Sequence, residues 1–181
     1  MHHADQALPR ATLRPLRAAD LDAVLRVQAA CYPPSMQEPR EVIRARIEAA
    51  GSTSFVAVHQ DGAQCDQVLA YAFAYRSRAG AVTPLGAGFD VDAGGDTLYL
   101  HDLAVTPAAA GGGLARRLAA RLLAQARESG LAWCALVSVQ DSRGFWERLG
   151  YRGAHCATGD ARDALATYPA PALYMVRATD G

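Results

Sequence analysis

The chain has 181 residues, 51% of them apolar, which suits one domain with a proper core. Its 18 positive side chains balance 18 acidic ones, and every positive one is Arg, so the basic footprint of a nucleic-acid-binding protein is missing. No apolar run approaches the ~18–20 residues of a membrane span, and the start "MHHADQALPR" lacks the apolar centre of a signal peptide, so the expectation is a cytoplasmic protein without a membrane partner.

Residues 1–10, with His2 and His3, read as a flexible N-terminus ahead of a single domain over residues 11–181. "ATLRPLR" (11–17) alternates apolar and polar residues and predicts a first strand. In "AADLDAVLRVQAACY" the residues Leu21, Val24, Leu25, Gln28 and Ala29 share a helical face, with Asp20 placed as N-cap. Proline stops that helix at "YPPS". A second helix is predicted through "PREVIRARIEAAG", with Pro39 in its first turn and Gly51 at its C-cap. Two strands follow, 54–60 and 68–75, around a turn at Asp61-Gly62.

Glycine and proline crowd residues 77–95, which predict a loop, and "TLYLHDLAV" (97–105) predicts a strand. A helix beginning at Leu114 shows Leu114, Leu118 and Leu122 at every fourth position, with Ala115, Ala119 and Leu123 beside them and Arg116, Arg117, Arg121 and Arg127 mostly outward. "WCALVSV" (133–139) is an apolar strand of the kind covered on both faces. A short helix, "RGFWERLG", is capped at Asp141-Ser142 and ended by Gly150. Residues 157–171 predict a loop, and "ALYMVR" a last strand. This is an α/β pattern centred on one strand–helix–strand unit. Cys31, Cys65, Cys134 and Cys156 are scattered without a Cys-x-x-Cys pair, so no metal site and no disulfide framework are expected. Cys134 reads as core.

The three glycines Gly111–Gly113 directly before the Leu114 helix need a reason, since each would cost ~1 kcal/mol against Ala inside a helix. At a helix start, free N–H groups and the aligned peptide dipoles attract an anion, and glycine lets a phosphate touch the main chain. A plain surface turn satisfies the same pattern. Neither the G-x-G-x-x-G dinucleotide fingerprint nor the G-x-x-x-x-G-K-[ST] loop is present, and the absence of Lys excludes the second.

The stretch "LAVTP…AGGGLARRLAARLL", followed by "FWERLGY", resembles the GNAT acyltransferases, which move an acetyl group from acetyl-CoA to an acceptor amine. The likeness is close over 97–151 and extends by element order over nearly the whole chain. It implies a GNAT-like fold: a central mixed, mostly antiparallel, splayed sheet flanked by helices, with one strand–Gly-loop–helix–strand unit for CoA. By this resemblance the pyrophosphate would lie on the main chain of Ala110, Gly111, Gly112, Gly113, Leu114, Ala115 and Arg116. The pantetheine arm would pair like an extra strand with Leu103, Ala104 and Val105, with Ser142 and Trp146 completing the cofactor-binding set. Two positions depart from the family. Ala110 stands where the family has Gln or Arg, and Trp146 stands where it has a Tyr credited with protonating the CoA thiolate; an indole is a donor but no acid.

A base near pH 7 would deprotonate the amine. His101 titrates in that range and occupies a position where some family members carry a base; a histidine simply hydrogen-bonded in the sheet is the alternative. Strand alternation puts Tyr99, His101, Leu103 and Val105 on one face and Leu100, Asp102 and Ala104 on the other. The catalytic candidates are thus His101 and Asp102, Asp102 as an orienting group. Tyr32, Glu38 and Tyr99 are the substrate-side candidates, with Ser35 and Tyr168 nearby, Glu38 suiting a cationic amine. The implied reaction is direct transfer from acetyl-CoA, without metal, to a primary amine on a small molecule or peptide. A non-catalytic acyl-CoA-binding regulatory module is the alternative, and a homodimer is left open.

Overall fold

The computed structural model describes residues 10–60 and 66–180. The predicted turn at Asp61-Gly62, the residues His2, His3 and Cys65, and residues 1–9 of the expected N-terminus lie outside the described residues. Among the described residues, no helix is long and apolar enough to cross a membrane.

Alternation in the chain's longest strand sets up two faces. In β3 (Val68–Ser77), Ala70, Ala72 and Ala74 belong to one apolar cluster, while Tyr71 and Phe73 belong to another. The flanking strands are β1 (Ala11–Pro15) and β2 (Phe55–His59) before it, then β4 (Thr97–Val105), β5 (Trp133–Ser138), β6 (Arg152–Gly153) and β7 (Leu173–Ala178). They form one sheet in the order β1-β2-β3-β4-β5-β7-β6. Every pairing is antiparallel except β4 with β5, as expected for a mixed, mostly antiparallel sheet.

The small alanine face of β3 receives α3 (Leu114–Glu128), whose buried stripe is Leu114, Leu118, Ala119, Leu122, Leu123 and Ala126. Leu118 is fully buried, so its replacement by Ala would cost ~2–5 kcal/mol. The same face carries α4 (Arg143–Arg148) through Trp146. On the other face α1 (Leu21–Cys31) and α2 (Arg40–Ala50) pack Val24, Val27, Ile43 and Ile47 against Val56, Tyr71 and Phe73.

The sequence reading needs correction in four places. The 157–171 segment is not all loop: it holds α5 (Gly159–Leu165), whose first turn is capped by the Thr158 hydroxyl accepting from Ala161 N–H at 3.1 Å. Its seven residues are too few to show a helical period. The buried face of α1 is Val24, Val27 and Gln28, and Ala29 is exposed. Gln28 is inside because its amide serves the main chain of Glu38 in both directions, at 3.0 and 3.1 Å. Asp20 sits at the cap position of α1 but turns its carboxylate to Arg14, at 2.7 Å from each oxygen, and to the Arg17 amide at 2.8 Å.

The fourth correction concerns β4. Phe73 pairs with Asp102 and Ala74 with Leu100, so His101 is an extra residue in the ladder, a β-bulge. The bulge inverts the alternation beyond it. Leu103 and Val105 share the α3 face with Leu98 and Leu100, whereas Tyr99, Asp102 and Ala104 face the other way. The simple alternation expected from the sequence therefore fails at His101, because a two-residue period cannot anticipate an inserted residue.

Candidate active site

The central opening follows from where β4 and β5 part. Their pairing runs from Thr97–Trp133 to Leu100–Leu136 and stops, while β5 continues alongside β7. Past Leu100 the two strands splay, and a cleft of about 280 Å³ opens between them. The Val105 carbonyl accepts from the Cys31 thiol at 3.1 Å instead of from a strand, and the Leu103 carbonyl lies 3.2 Å from the Tyr32 hydroxyl, whose proton goes to Asp102.

The glycine loop lies just beyond β4. Gly111 and Gly113 have φ of 80° and 73°, and no atom lies within 4 Å of where a Cβ would stand on either. The left-handed conformation favours glycine, and the open space leaves their main chain approachable. The hydrogen-bond ladder of α3 begins with Arg117 N–H to Gly113 O at 3.0 Å. The amides of Leu114, Ala115 and Arg116 therefore have no main-chain partner, and they stand at the positive end of a 15-residue helix dipole. This chemistry fits an anion such as a diphosphate. Leu114 offers only its amide, since its side chain is core.

Of the predicted cofactor residues, Leu103, Val105, Ala115, Ser142 and Trp146 line the cleft. Ala104, Ala110, the three glycines, Leu114 and Arg116 are outside its lining. Ala104 points into the α1–α2 face. Trp146 is buried, with its ring edge-on to Phe145 at 4.8 Å and to Tyr151 at 5.5 Å. Before α4, Gln140 and Asp141 both adopt positive φ, at 51° and 57°, a conformation costing ~1–3 kcal/mol per non-glycine residue. That turn holds Gln140 in the cleft wall, opposite Met36.

The other end of the cleft is built around the His101 bulge. The His101 side chain is 2% exposed, with Nε2 at 3.7 Å from Glu38 Oε1 and Nδ1 at 3.5 Å from the Tyr168 hydroxyl. Phe89 packs edge-on to its ring at 5.2 Å. Burial depresses the imidazole below its usual value; Arg46 adds to this, and Glu38 and Asp102 oppose it. The ring is therefore neutral at pH 7, with a free lone pair on one nitrogen but a weaker base than an exposed imidazole. Glu38 is held by a bidentate ion pair with Arg46, by Gly86 N–H at 2.9 Å, and by the pinning of its main chain by Gln28. Burial alone would raise its carboxyl, but His101 and Arg46 outweigh that and bring it to about 2.

Asp102 accepts from Tyr32 O–H at 2.6 Å and from Tyr71 O–H at 2.5 Å. Burial raises its carboxyl above the ordinary range, against those hydroxyls. Tyr32, Glu38, His101 and Asp102 all line the cleft, so the structure brings these four candidates together. Tyr99 is not among the lining residues: it is buried below the site, its hydroxyl close to Tyr168 and the Thr83 carbonyl without a well-aligned bond. Ser35 is exposed and outside the lining, where Met36 takes its place. Burial pushes the Cys134 thiol up to about 11, in keeping with a core cysteine.

Sequence reasoning missed Arg46, Tyr71, Leu85 and Gln140. Arg46 had a visible signal: it sits between Ile43 and Ile47 and before Ala50 on the buried stripe of α2, where a charge demands a partner. Glu38, read from sequence as a match for a cationic amine, already has its cation. Among the described residues no group of three or more His, Cys, Asp and Glu side chains could hold a metal ion.

The structure is similar to the GNAT-like decarboxylase GphF in complex with isobutyryl-CoA (TM-score 0.69, 18% identity, 93% of this chain and 99% of that chain). It is also similar to the loading GNATL domain of CurA from Lyngbya majuscula (0.72, 13%, 94% and 98%). A third likeness is to the ribosomal-protein-S18-alanine N-acetyltransferase from Escherichia coli (0.67, 17%, 94% of each chain). These identities speak for the fold alone. No curated protein sequence matches the chain. The family profile described as Acetyltransferase (GNAT) family matches residues 21–151, and the chain belongs to that family.

Proposed function

We propose that this GNAT-family protein is an N-acetyltransferase that moves an acetyl group from acetyl-CoA to a primary amine by direct transfer. The observation that carries the reading is the splay between β4 and β5, with a neutral buried histidine at its floor and an open glycine-lined helix start beside it. The amides of Leu114, Ala115 and Arg116, with the open main chain of Gly111 and Gly113, would hold the diphosphate, and the main chain of Leu103 and Val105 would align the pantetheine arm. Leu100 and Leu136, the last paired residues, are both buried and close the bottom of the cleft, which favours a short acyl group.

In this reading His101 takes the proton that the amine must lose. The amine nitrogen bonds to the thioester carbon, the C–S bond breaks, and the displaced thiolate regains a proton. Trp146 cannot supply it, so that proton returns from His101 or from water. Glu38 orients the imidazole, Arg46 holds Glu38, and the bulge frees main-chain groups of β4 to polarise the carbonyl. Proximity of amine and thioester in one cleft supplies much of the rate.

The test is thiol release from acetyl-, propionyl- and isobutyryl-CoA over a panel of primary amines. Amine-dependent release fastest with acetyl-CoA supports the proposal. Tight acyl-CoA binding with no release for any amine overturns it in favour of a non-catalytic acyl-CoA-binding module, which Ala110 and Trp146 would suit.

A further inference from the structure

We infer that the acceptor is a small primary amine with no carboxylate beside the reacting nitrogen, selected by a roof that residues 83–87 form over the His101 end of the cleft. The inference rests on the acyltransfer reading above and narrows its acceptor.

Residues 78–96 contain no helix or strand, yet they are not loosely attached. Gly86 N–H donates to Glu38 Oε1 at 2.9 Å, and Arg46 grips the Ala87 carbonyl through Nε at 3.1 Å and Nη2 at 2.5 Å. Those bonds tie the segment to the α1–α2 side. Leu85 N–H donates to the Thr167 hydroxyl at 2.9 Å, and Tyr168 O–H donates to the Thr83 carbonyl at 2.7 Å. These tie the same five residues to the segment between α5 and β7. Phe89 then anchors the far end, stacked on Tyr75 at 4.4 Å with the Arg46 guanidinium 4.9 Å above its ring.

The consequence is geometric. Glu38 and Tyr168 stand on the two walls beside His101, and the roof joins those walls, with Leu85 turned into the cleft between them. An extended peptide advances ~3.3–3.6 Å per residue. A peptide running towards residues 84–87 would meet main chain already bonded to Glu38, Arg46 and Thr167. The cleft of about 280 Å³ is small for a ligand site, which favours a compact amine over a longer chain.

Charge narrows the class further. The ionisable lining consists of Glu38, His101, Asp102 and Tyr residues 32 and 168, with no Arg, and the chain has no Lys. Arg46 is 0% exposed and fully engaged with Glu38 and Ala87. A free amino acid would bring its carboxylate towards Asp102 and the Arg46-paired Glu38, with no unpaired cation in the lining to meet it, a penalised arrangement. An amine with an apolar or cationic remainder meets no such conflict.

The experiment compares kcat/KM, with acetyl-CoA saturating, for simple alkyl and arylalkyl amines, hexapeptides with free N-termini, and free amino acids. The expected result is at least ~100-fold preference for the simple amines over both other groups. Thr167→Val, which removes the acceptor of the Leu85 amide, should narrow the gap to peptides by ~10-fold or more. Hydrogen exchange on the wild-type protein should show slow exchange at Leu85 and Gly86. Peptides or amino acids turned over as well as simple amines, or unprotected amides at both positions, overturn the inference. No thiol release with any acceptor overturns the acyltransfer reading and the acceptor class with it, while the exchange data still judge the roof separately.

Discussion

Replacing Arg46 by Met removes the cation from a pair in which the Arg side chain is 0% and the Glu38 side chain 5% exposed. Glu38 would keep the Gly86 amide and the neighbouring imidazole but lose its bidentate partner. Breaking a buried pair from one side costs ~3–5 kcal/mol. At roughly 2–4 °C per kcal/mol for a chain this size, that is a fall in Tm of about 6–20 °C at pH 7. The pH dependence sharpens the test. Glu38 has a folded pKa of about 2 against 4.5, so its stabilisation is present above 4.5 and is lost as pH falls towards 2. Without the guanidinium its carboxyl titrates higher, so the deficit of the variant should be largest at neutral pH and shrink on acidification. Thermal unfolding by circular dichroism from pH 7 to pH 3 measures this, and Glu38→Met/Arg46→Met should regain most of the loss. A single variant within 1 kcal/mol of wild type at pH 7, or a deficit constant with pH, would refute the reasoning.

Three further outcomes are expected. Because His101 is depressed below its usual 6.5, kcat/KM should be flat from pH 7 to 8 and fall only at pH below 6.5. His101→Gln should abolish that acid limb and lower kcat by ~10²–10⁴; an unchanged profile rules out His101 as the base. Tyr32→Phe removes one of two hydroxyls on the buried Asp102 carboxylate and should cost ~1.5–3 kcal/mol in urea unfolding, so a neutral result would contradict the assigned hydrogen bond. The same depressed imidazole predicts a stability loss as pH falls below 6.5, since the unfolded state then binds the proton the folded state refuses; His101→Gln should remove that segment of the pH–stability curve.

Much of this architecture is visible in the chain. The period of four in Leu114, Leu118 and Leu122 locates α3 to its first residue, and "TLYLHDLAV" coincides with β4 at both ends. Those signals are strong because each element buries a full face. The bulge at His101 is invisible because an inserted residue leaves composition untouched and alters only the pairing register. It shapes the cleft nonetheless, since it puts His101 and Asp102 together in the cleft lining. The roof is equally hidden. Residues 83–87 read as a Gly/Pro-rich loop, and their order comes from bonds to Glu38, Arg46, Thr167 and Tyr168, all far along the sequence. Glu38 was legible as a site residue but not in its role, which depends on Arg46 lying one turn inside α2 on an otherwise apolar stripe.

The central claim is that bare main chain at the start of α3 binds the cofactor's diphosphate, and calorimetry with acetyl-CoA tests it most directly. Gly113→Val puts a side chain into the open space above the loop at φ 73°, and Gly130→Val, at φ 66° with equally open surroundings beyond the other end of α3, imposes the same backbone strain elsewhere. The account predicts that wild type and Gly130→Val bind alike while Gly113→Val binds at least ~10-fold more weakly, a difference of about 1.4 kcal/mol. Equal affinity in all three proteins would contradict it.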